Sequence, residues 1–208
     1  MTQNSHIHVP TITGPNARLP TRSERGLIVP PAGAIRTGSE VQAEEEARQA
    51  LIRRLGVPTH AHAFYDHFAT QMAEASGFLY GMVNLFLEEQ TFIGLHNPAE
   101  DSGHPIIGRT MSRRDGWCPD VVRRKKALPL HDVRASPRFY GNPVVDAVGI
   151  HAYFGAPLIH EETGIVLGTV CIIDPEPRLL TDARRLRDIV KGTGGTVMKE
   201  ITAAAPQS

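Results

Sequence analysis

The sequence predicts an α+β domain, with antiparallel hairpins set between helices. Three observations carry this. Ile150 to Ile159 and Ile165 to Ile173 are apolar runs rich in β-branched and aromatic residues, joined through Glu161-Glu162-Thr163-Gly164 in the manner of a hairpin. Phe78 to Leu87 and Thr91 to His96 form a second such pair around Glu88-Glu89-Gln90. Segments of helical periodicity lie before the first hairpin and after the second.

From the start, residues 1–39 are rich in Pro, Gly, Thr, Ser and Asn with few aliphatics in any period, and are expected to be disordered. His6 and His8 read as part of a solvated tail rather than a metal site, and Arg18, Arg22, Arg25 and Arg36 would suit an interaction arm. The folded part is expected over residues 40–203, with a short tail over 204–208. Glu40 to Leu55 reads as a helix with Ser39 as N-cap, acids in its first turn and arginines near its end. Its stripe of Ala47, Leu51 and Leu55 is narrow. Such a helix packs on its own domain or completes its burial against a second copy.

The next helix is predicted from near Thr59 to Ser76, with Phe64, Phe68 and Met72 four residues apart and Gly77 at the C-terminus. His60, His62, His67 and Asp66 gather at its first turns, and His62 and Asp66 have the spacing of two ligands on one face, but no third and fourth ligand of defined geometry is evident nearby, so no metal is assigned. In the hairpin that follows, Asn84 interrupts an apolar strand. It either points into a cavity or bonds locally. Asn97 to Gly108 is a loop.

Trp117-Cys118-Pro119 opens a short helix, Pro119 being suited to a first helical position, with Arg123 to Lys126 at its other end. A helix N-terminus favours thiolate, which makes Cys118 a redox candidate; the commoner fate of such a residue is to pack as a small soft side chain. Asp132 to Val145 is broken by Ser136-Pro137, Gly141 and Asn142-Pro143, so only short helices fit. A concave space between this segment and the second hairpin is a natural ligand site. Alternation along the last strand puts Ile165, Leu167, Thr169, Cys171 and Ile173 on one face and Val166, Gly168, Val170 and Ile172 on the other. Both faces are apolar, the mark of a central strand covered on both sides. Pro157 calls for a bulge or an unpaired edge nearby. The final helix is expected from Thr181, as N-cap, to Ile201, with a kink or a close contact at Gly192, Gly194 and Gly195.

The order D-V-R-A-x-P-R-F-x-x-N-P-x-V, G-I-x-x-Y-x-G-A-P-L and G-x-V-L-G-T-V-C-x-I-D-P-E-P-R resembles the second half of a GAF domain of the bacterial, actinobacterial type. E-E-A-R-Q-A-L-I-R-R-L-G-V-P and M-V-N-L-F-L-E-E-Q-T-F-I-G-L-H are similar to that family's opening helix and first hairpin. The resemblance implies a mostly antiparallel sheet of about six strands with helices packed on it. It also implies a regulatory or sensor role, with terminal helices as dimer elements. By position it makes Trp117, Cys118, Phe139, Tyr140, Val144, Ile150 and Tyr153 the candidate ligand-binding residues.

Composition bounds the function further. The 208 residues carry no net charge and 41% apolar side chains, and the pI is near 7.2, so no global pull toward nucleic acid arises. Nine basic residues between Arg109 and Arg138 face only Asp115, Asp120 and Asp132, a local asymmetry read as a solvated face. No apolar run approaches the roughly 18 residues of a membrane span, no secretory leader is evident, and two cysteines fit a reduced, cytoplasmic setting. The chain leaves no room for an output domain, so a small-molecule ligand, a signalling protein or both are the expected partners. The family's alternatives are less well matched. Gly149-Ile150-His151-Ala152-Tyr153-Phe154 stands where sulfoxide-reducing members have G-H-I-A-C-D, which removes the catalytic cysteine and disfavours an enzyme. The bilin-binding Cys-His and the cyclic-nucleotide pattern are missing. His151 is left as a haem-ligand candidate, and the cofactor is unknown.

Overall fold

The computed structural model describes residues 37–206. The expected tail, with His6, His8 and the arginines up to Arg36, lies outside the described residues apart from its last three positions.

A six-stranded antiparallel sheet forms the centre, in the order β3-β2-β1-β6-β5-β4. β1 (Tyr80–Phe86) and β2 (Gln90–His96) are the first hairpin, and β5 (Ala152–Ile159) and β6 (Val166–Asp174) the second. The two hairpins join through β1 and β6, so the two strands buried along their whole length sit at the middle. The edges are β3 (Thr110–Met111) and β4 (Leu128–Leu130), too short for alternation to announce them.

One face of the sheet carries α1 (Gly38–Arg54), α2 (Ala63–Ser76) and α6 (Ala183–Ala203). Leu51, Ile52 and Leu55 from α1 and its end, Met72 from α2, and Leu186, Val190 and Val197 from α6 close on Val83, Ile93, Phe154, Leu158 and Ile172. The buried stripe of α1 is Arg48, Leu51 and Ile52, continued by Leu55, rather than the expected Ala47, Leu51 and Leu55; Ala47 faces solvent, and the buried Arg48 guanidinium reaches the Val166 carbonyl at 2.6 Å.

Several boundaries differ from the sequence expectation. α2 begins at Ala63 rather than near Thr59, because the His62 imidazole accepts the Phe64 N–H as an N-cap. Its buried stripe is Tyr65, Ala69, Met72 and Ala73, so Met72 lies inside as expected, whereas Phe68 is partly buried and Phe64 is 43% exposed. The reason lies in the sheet. Gly94 has no side chain, and a Cβ there would stand 2.3 Å from the Tyr65 carbonyl oxygen, so the helix settles on its small-residue side against the glycine. Asp66 then fastens α2 to β2, accepting the Leu95 N–H at 2.8 Å and both outer nitrogens of Arg109. This engages the carboxylate that the sequence had set beside His62.

In β6 the alternation holds from Thr169 to Ile173 and fails before it. Leu158 pairs with Gly168 but Ile159 with Val166, so Leu167 is an extra residue in the ladder and turns to the helix face. Val166 therefore joins Cys171 and Ile173 on the opposite face. Pro157 sits where β5 has lost its outer neighbour, since β4 ends opposite Gly155. α6 starts at Ala183 after a single 3-10 turn, so Thr181 is not its cap, and it runs unbroken through its glycines. Buried Gly194 faces the Val170 methyl group, the close contact that the glycine cluster foretold.

Candidate functional site

The second face of the sheet is roofed by three short helices, α3 (Cys118–Arg124), α4 (Pro137–Tyr140) and α5 (Pro143–Val148). Each starts on a proline within its first two positions, which fixes the entry but supplies little length. Such pieces cannot fill the surface beneath them. A cavity of about 230 Å3 is left between the roof and β1, β2, β5 and β6.

Its floor is made by Met82, Tyr153, Cys171 and Ile173, and its walls include Trp117, Cys118, Met111 and Val144. Polar groups are few, with Thr110 and Asp115 contributing to the lining. A larger hollow of about 870 Å3 lies between α6 and the β5–β6 turn, lined by Lys125, Lys126, Lys191 and Lys199 with Glu161 and Glu162. Long charged side chains define that groove, whereas apolar, aromatic and sulfur side chains define the cavity, with buried Met82, Phe92, Trp117, Cys118, Tyr153 and Cys171 among them. We take the cavity as the site for that reason.

Two polar clamps hold its rim. Buried Asn84 donates to the Gln90 carbonyl oxygen at 2.9 Å, and Gln90 in turn donates to the carbonyls of Ser112 and Asp115. From the roof, the Asn142 side chain accepts the Gly116 N–H at 3.0 Å, donates to the Gly116 carbonyl at 2.7 Å and caps α5 through the Val144 N–H. The chain from 112 to 117 is thus tied to the sheet at one end and to α5 at the other. Asn84 itself does not line the cavity, and its Oδ1 has no partner.

Within the floor, sulfur atoms meet. Cys118 Sγ lies 3.7 Å from Cys171 Sγ and 3.4 Å from the Tyr153 hydroxyl, and Cys171 Sγ lies 3.6 Å from Met82 Sδ. Both cysteines are free and buried. Tyr153 reaches this point by lying over Gly155; a Cβ there would come within 2.1 Å of its oxygen. The Trp117 ring packs on Tyr153 at 5.3 Å, and its N–H donates to the Phe139 carbonyl.

The thiol of Cys118 is brought down to about 7, chiefly by its hydrogen bond with Cys171, with Thr169, Tyr153 and Asn84 adding to this against the opposing effect of burial. Cys171 is pushed well up by that same contact, by burial and by the charge on Cys118. The pair therefore gives up one proton readily and holds the second. Tyr153 is also raised, by burial first and then by the two sulfurs, so its hydroxyl stays protonated as a donor to the thiolate. The sequence had looked to the helix end for this effect. Cys118 is the first residue of α3, with Pro119 second, but the neighbouring thiol is the larger cause.

The seven residues singled out from the sequence separate here. Trp117, Cys118, Val144 and Tyr153 line the cavity. Ile150 is wholly buried beside it without lining it. Phe139 is partly buried and presents its carbonyl to Trp117. Tyr140 points to solvent at 58% exposure. Two consecutive residues on a four-residue helix cannot both face inward. Met82, Met111 and Cys171, which do line the cavity, were hidden as ordinary strand residues. No histidine lines it, His151 being half-buried with its backbone engaged to Asp174 and Val133. Among the described residues, no three or more His, Cys, Asp or Glu side chains are grouped to hold a metal, and no helix is long and apolar enough to cross a membrane. Much of the basic stretch is engaged in ion pairs, Arg109 with Asp66, Arg113 with Glu45, Lys125 with Glu44, and Arg123 and Arg138 with Asp120.

The family model for the GAF domain matches residues 60–190, from the approach to α2 into α6. Among solved structures, a proposed GAF sensor protein from Burkholderia vietnamiensis is 13% identical at a TM-score of 0.51, over 81% of this chain and 99% of that one. A bacteriophytochrome from R. palustris is 14% identical at a TM-score of 0.54, over 81% of this chain and 39% of that one. Free methionine-R-sulfoxide reductase from Neisseria meningitidis is 15% identical at a TM-score of 0.50, over 82% of this chain and 94% of that one. At such identities the likeness is one of fold. A cyclic di-GMP phosphodiesterase of Pseudomonas aeruginosa is 41% identical over 71 residues, and the match spans 34% of this chain and only 12% of that relative's length. With the six-stranded sheet, the roofed cavity and a family match over more than half its length, the chain belongs to the GAF domain family.

Proposed function

We propose that this GAF domain is a regulatory module that takes up a small, mostly apolar molecule in the cavity and passes the change to a partner protein. The observation that carries this is the cavity, its rim held by two polar clamps and its walls made by aromatic and sulfur side chains with few polar groups. Its volume of about 230 Å3 falls below the roughly 300–1,000 Å3 of drug-sized sites, which favours a compact ligand over a dinucleotide such as the one named for the phosphodiesterase relative. We assign it a sensory rather than a catalytic role, and neither nucleic acid nor membrane enters the reading. α1 and α6 are the proposed coupling elements, through pairing of two copies, since each buries one stripe and keeps exposed residues elsewhere, such as Val41 and Ala47 of α1 and Lys191 and Gly195 of α6.

Trp117 is the sole tryptophan and stands in the cavity wall, so its emission reports occupancy. Native mass spectrometry of protein from its own host is expected to reveal a bound small mass that shifts Trp117 emission when removed and restored. Val144→Phe, which fills the cavity from the wall, is expected to abolish both while leaving the circular dichroism spectrum unchanged. Protein with no bound mass, and the same Trp117 response to candidate ligands in Val144→Phe as in the parent, would sink the reading.

A further inference from the structure

We propose that Cys118 and Cys171 form a reactive dithiol that closes to a disulfide when a small hydroperoxide enters the cavity. Three features of geometry carry this. The sulfurs are already 3.7 Å apart, on elements far apart in sequence that the fold brings face to face. Both line the same cavity, so a reagent small enough to enter it reaches either one. And the site is too small for a peptide or glutathione disulfide, which selects a compact oxidant.

The chemistry balances with that oxidant alone. The Cys118 thiolate attacks one peroxide oxygen; the S–O bond forms as the O–O bond breaks, and the departing alkoxide or hydroxide takes up a proton to leave as alcohol or water. Cys118 is now a sulfenic acid. The Cys171 sulfur then attacks Cys118 sulfur, forming the S–S bond while the S–O bond breaks. The hydroxide released leaves as water with the Cys171 proton. Two thiols have lost two electrons in all, and the peroxide has accepted them.

Cys118 is the attacking group because its thiol is the more acidic of the two and the Tyr153 hydroxyl stands 3.4 Å away to stabilise the anion. Cys171, held protonated by burial and by its neighbour, suits the resolving role. Closure brings the sulfurs from 3.7 Å to the bonded distance of about 2.05 Å. The first residue of α3 is thereby drawn onto β6, and Tyr153 loses its sulfur partner. Trp117, next in the chain and packed on Tyr153, reports the change. The inference rests on the cavity admitting small molecules, as the proposed function does, but not on which molecule fills it at rest.

The test treats the reduced full chain with hydrogen peroxide and follows intact mass, free thiols and Trp117 emission. The expected result is a mass lower by two hydrogens, loss of both thiols, and a cross-linked Cys118–Cys171 peptide after digestion without reductant. Cys171→Ser should stop at a sulfenic acid trapped by dimedone on Cys118, and Cys118→Ser should react at least about tenfold more slowly. Reduced wild-type protein needs no folding control, and there persistence of both thiols, over-oxidation without a cross-link, or linkage only between chains would each overturn the proposal. The double serine variant is also screened with small ligands. A retained Trp117 response there, with no cross-link in wild type, rejects the dithiol and spares the sensor reading; a cross-link with no ligand response in any form does the reverse.

Discussion

The two faces of the sheet are built from the same strands and differ in what covers them. On the helix face, long α-helices bury Val83, Phe154, Leu158, Leu167 and Ile172, side chains with nothing but carbon beyond the backbone. On the other, pieces of four to seven residues, one of them opening on Cys118, cover Met82, Tyr153, Cys171 and the Asn84–Gln90 pair, and a cavity persists. Long helices present a continuous stripe and can close a surface completely. Short ones touch at points, and the space between points is where a ligand fits. The continuous packing and the proposed binding site thereby lie on opposite sides of one sheet.

Gly94→Ala is expected to break the helix face outright. Its Cβ would meet the Tyr65 carbonyl at 2.3 Å, and a backbone atom held in a helix cannot step aside as a side-chain end can. A loss of about 3 kcal/mol or more is expected, or no folded protein, read by urea denaturation. Asn142→Ala is the corresponding break on the cavity face. It removes the clamp on Gly116 and the cap of α5, at a cost of roughly 2 kcal/mol. Its signature should be a red-shifted Trp117 emission and weakened ligand uptake, while amide exchange in α2 and α6 stays near that of the parent. Equal loosening of both faces would mean that the sheet does not insulate them.

The helix face was the more legible of the two from sequence. Period-two and helical patterns report burial against a continuous surface, and they located both hairpins and the stripe of α6, whereas α1 begins at Gly38 and takes in Ser39, the residue expected to cap it. They failed where one residue breaks the period, as at the bulged Leu167, or where a missing side chain on the partner decides the contact, as Gly94 does for α2. The cavity face depends on meetings that no local pattern encodes. Cys118 and Cys171 are 53 positions apart, and nothing near either announces the other. Trp117, Cys118 and Tyr153 were reachable through the GAF resemblance, which carried them over by position, but the outward turn of Tyr140 depends on the phase of a single helical turn.

Glu45 gives the smallest and most informative effect, because it spans the two regions. It sits on α1, pairs with buried Arg48 there, and reaches across to Arg113 in the chain leading to the cavity rim. Burial would raise its carboxyl, but hydrogen bonds from Arg113 and Gln49 and the charges of Arg48 and Arg113 prevail and hold it below the usual carboxylate range. A depressed carboxyl stabilises the fold above its unfolded value of about 4.3, and that contribution is lost as pH falls through the lower folded value. Glu45→Gln should therefore cost up to about 1 kcal/mol at pH 7, since the group is partly exposed, and the difference from the parent should shrink steadily in acid. Denaturation curves at pH 7 and at successive steps below 4 read this directly. A gap that stays constant across that range would mean the carboxylate's charge plays no part in joining α1 to the rim. In that case the hydrogen bonds of the Arg48 guanidinium to the Val166 carbonyl and of the Gln49 amide to the Phe86 carbonyl would be what holds α1 in place.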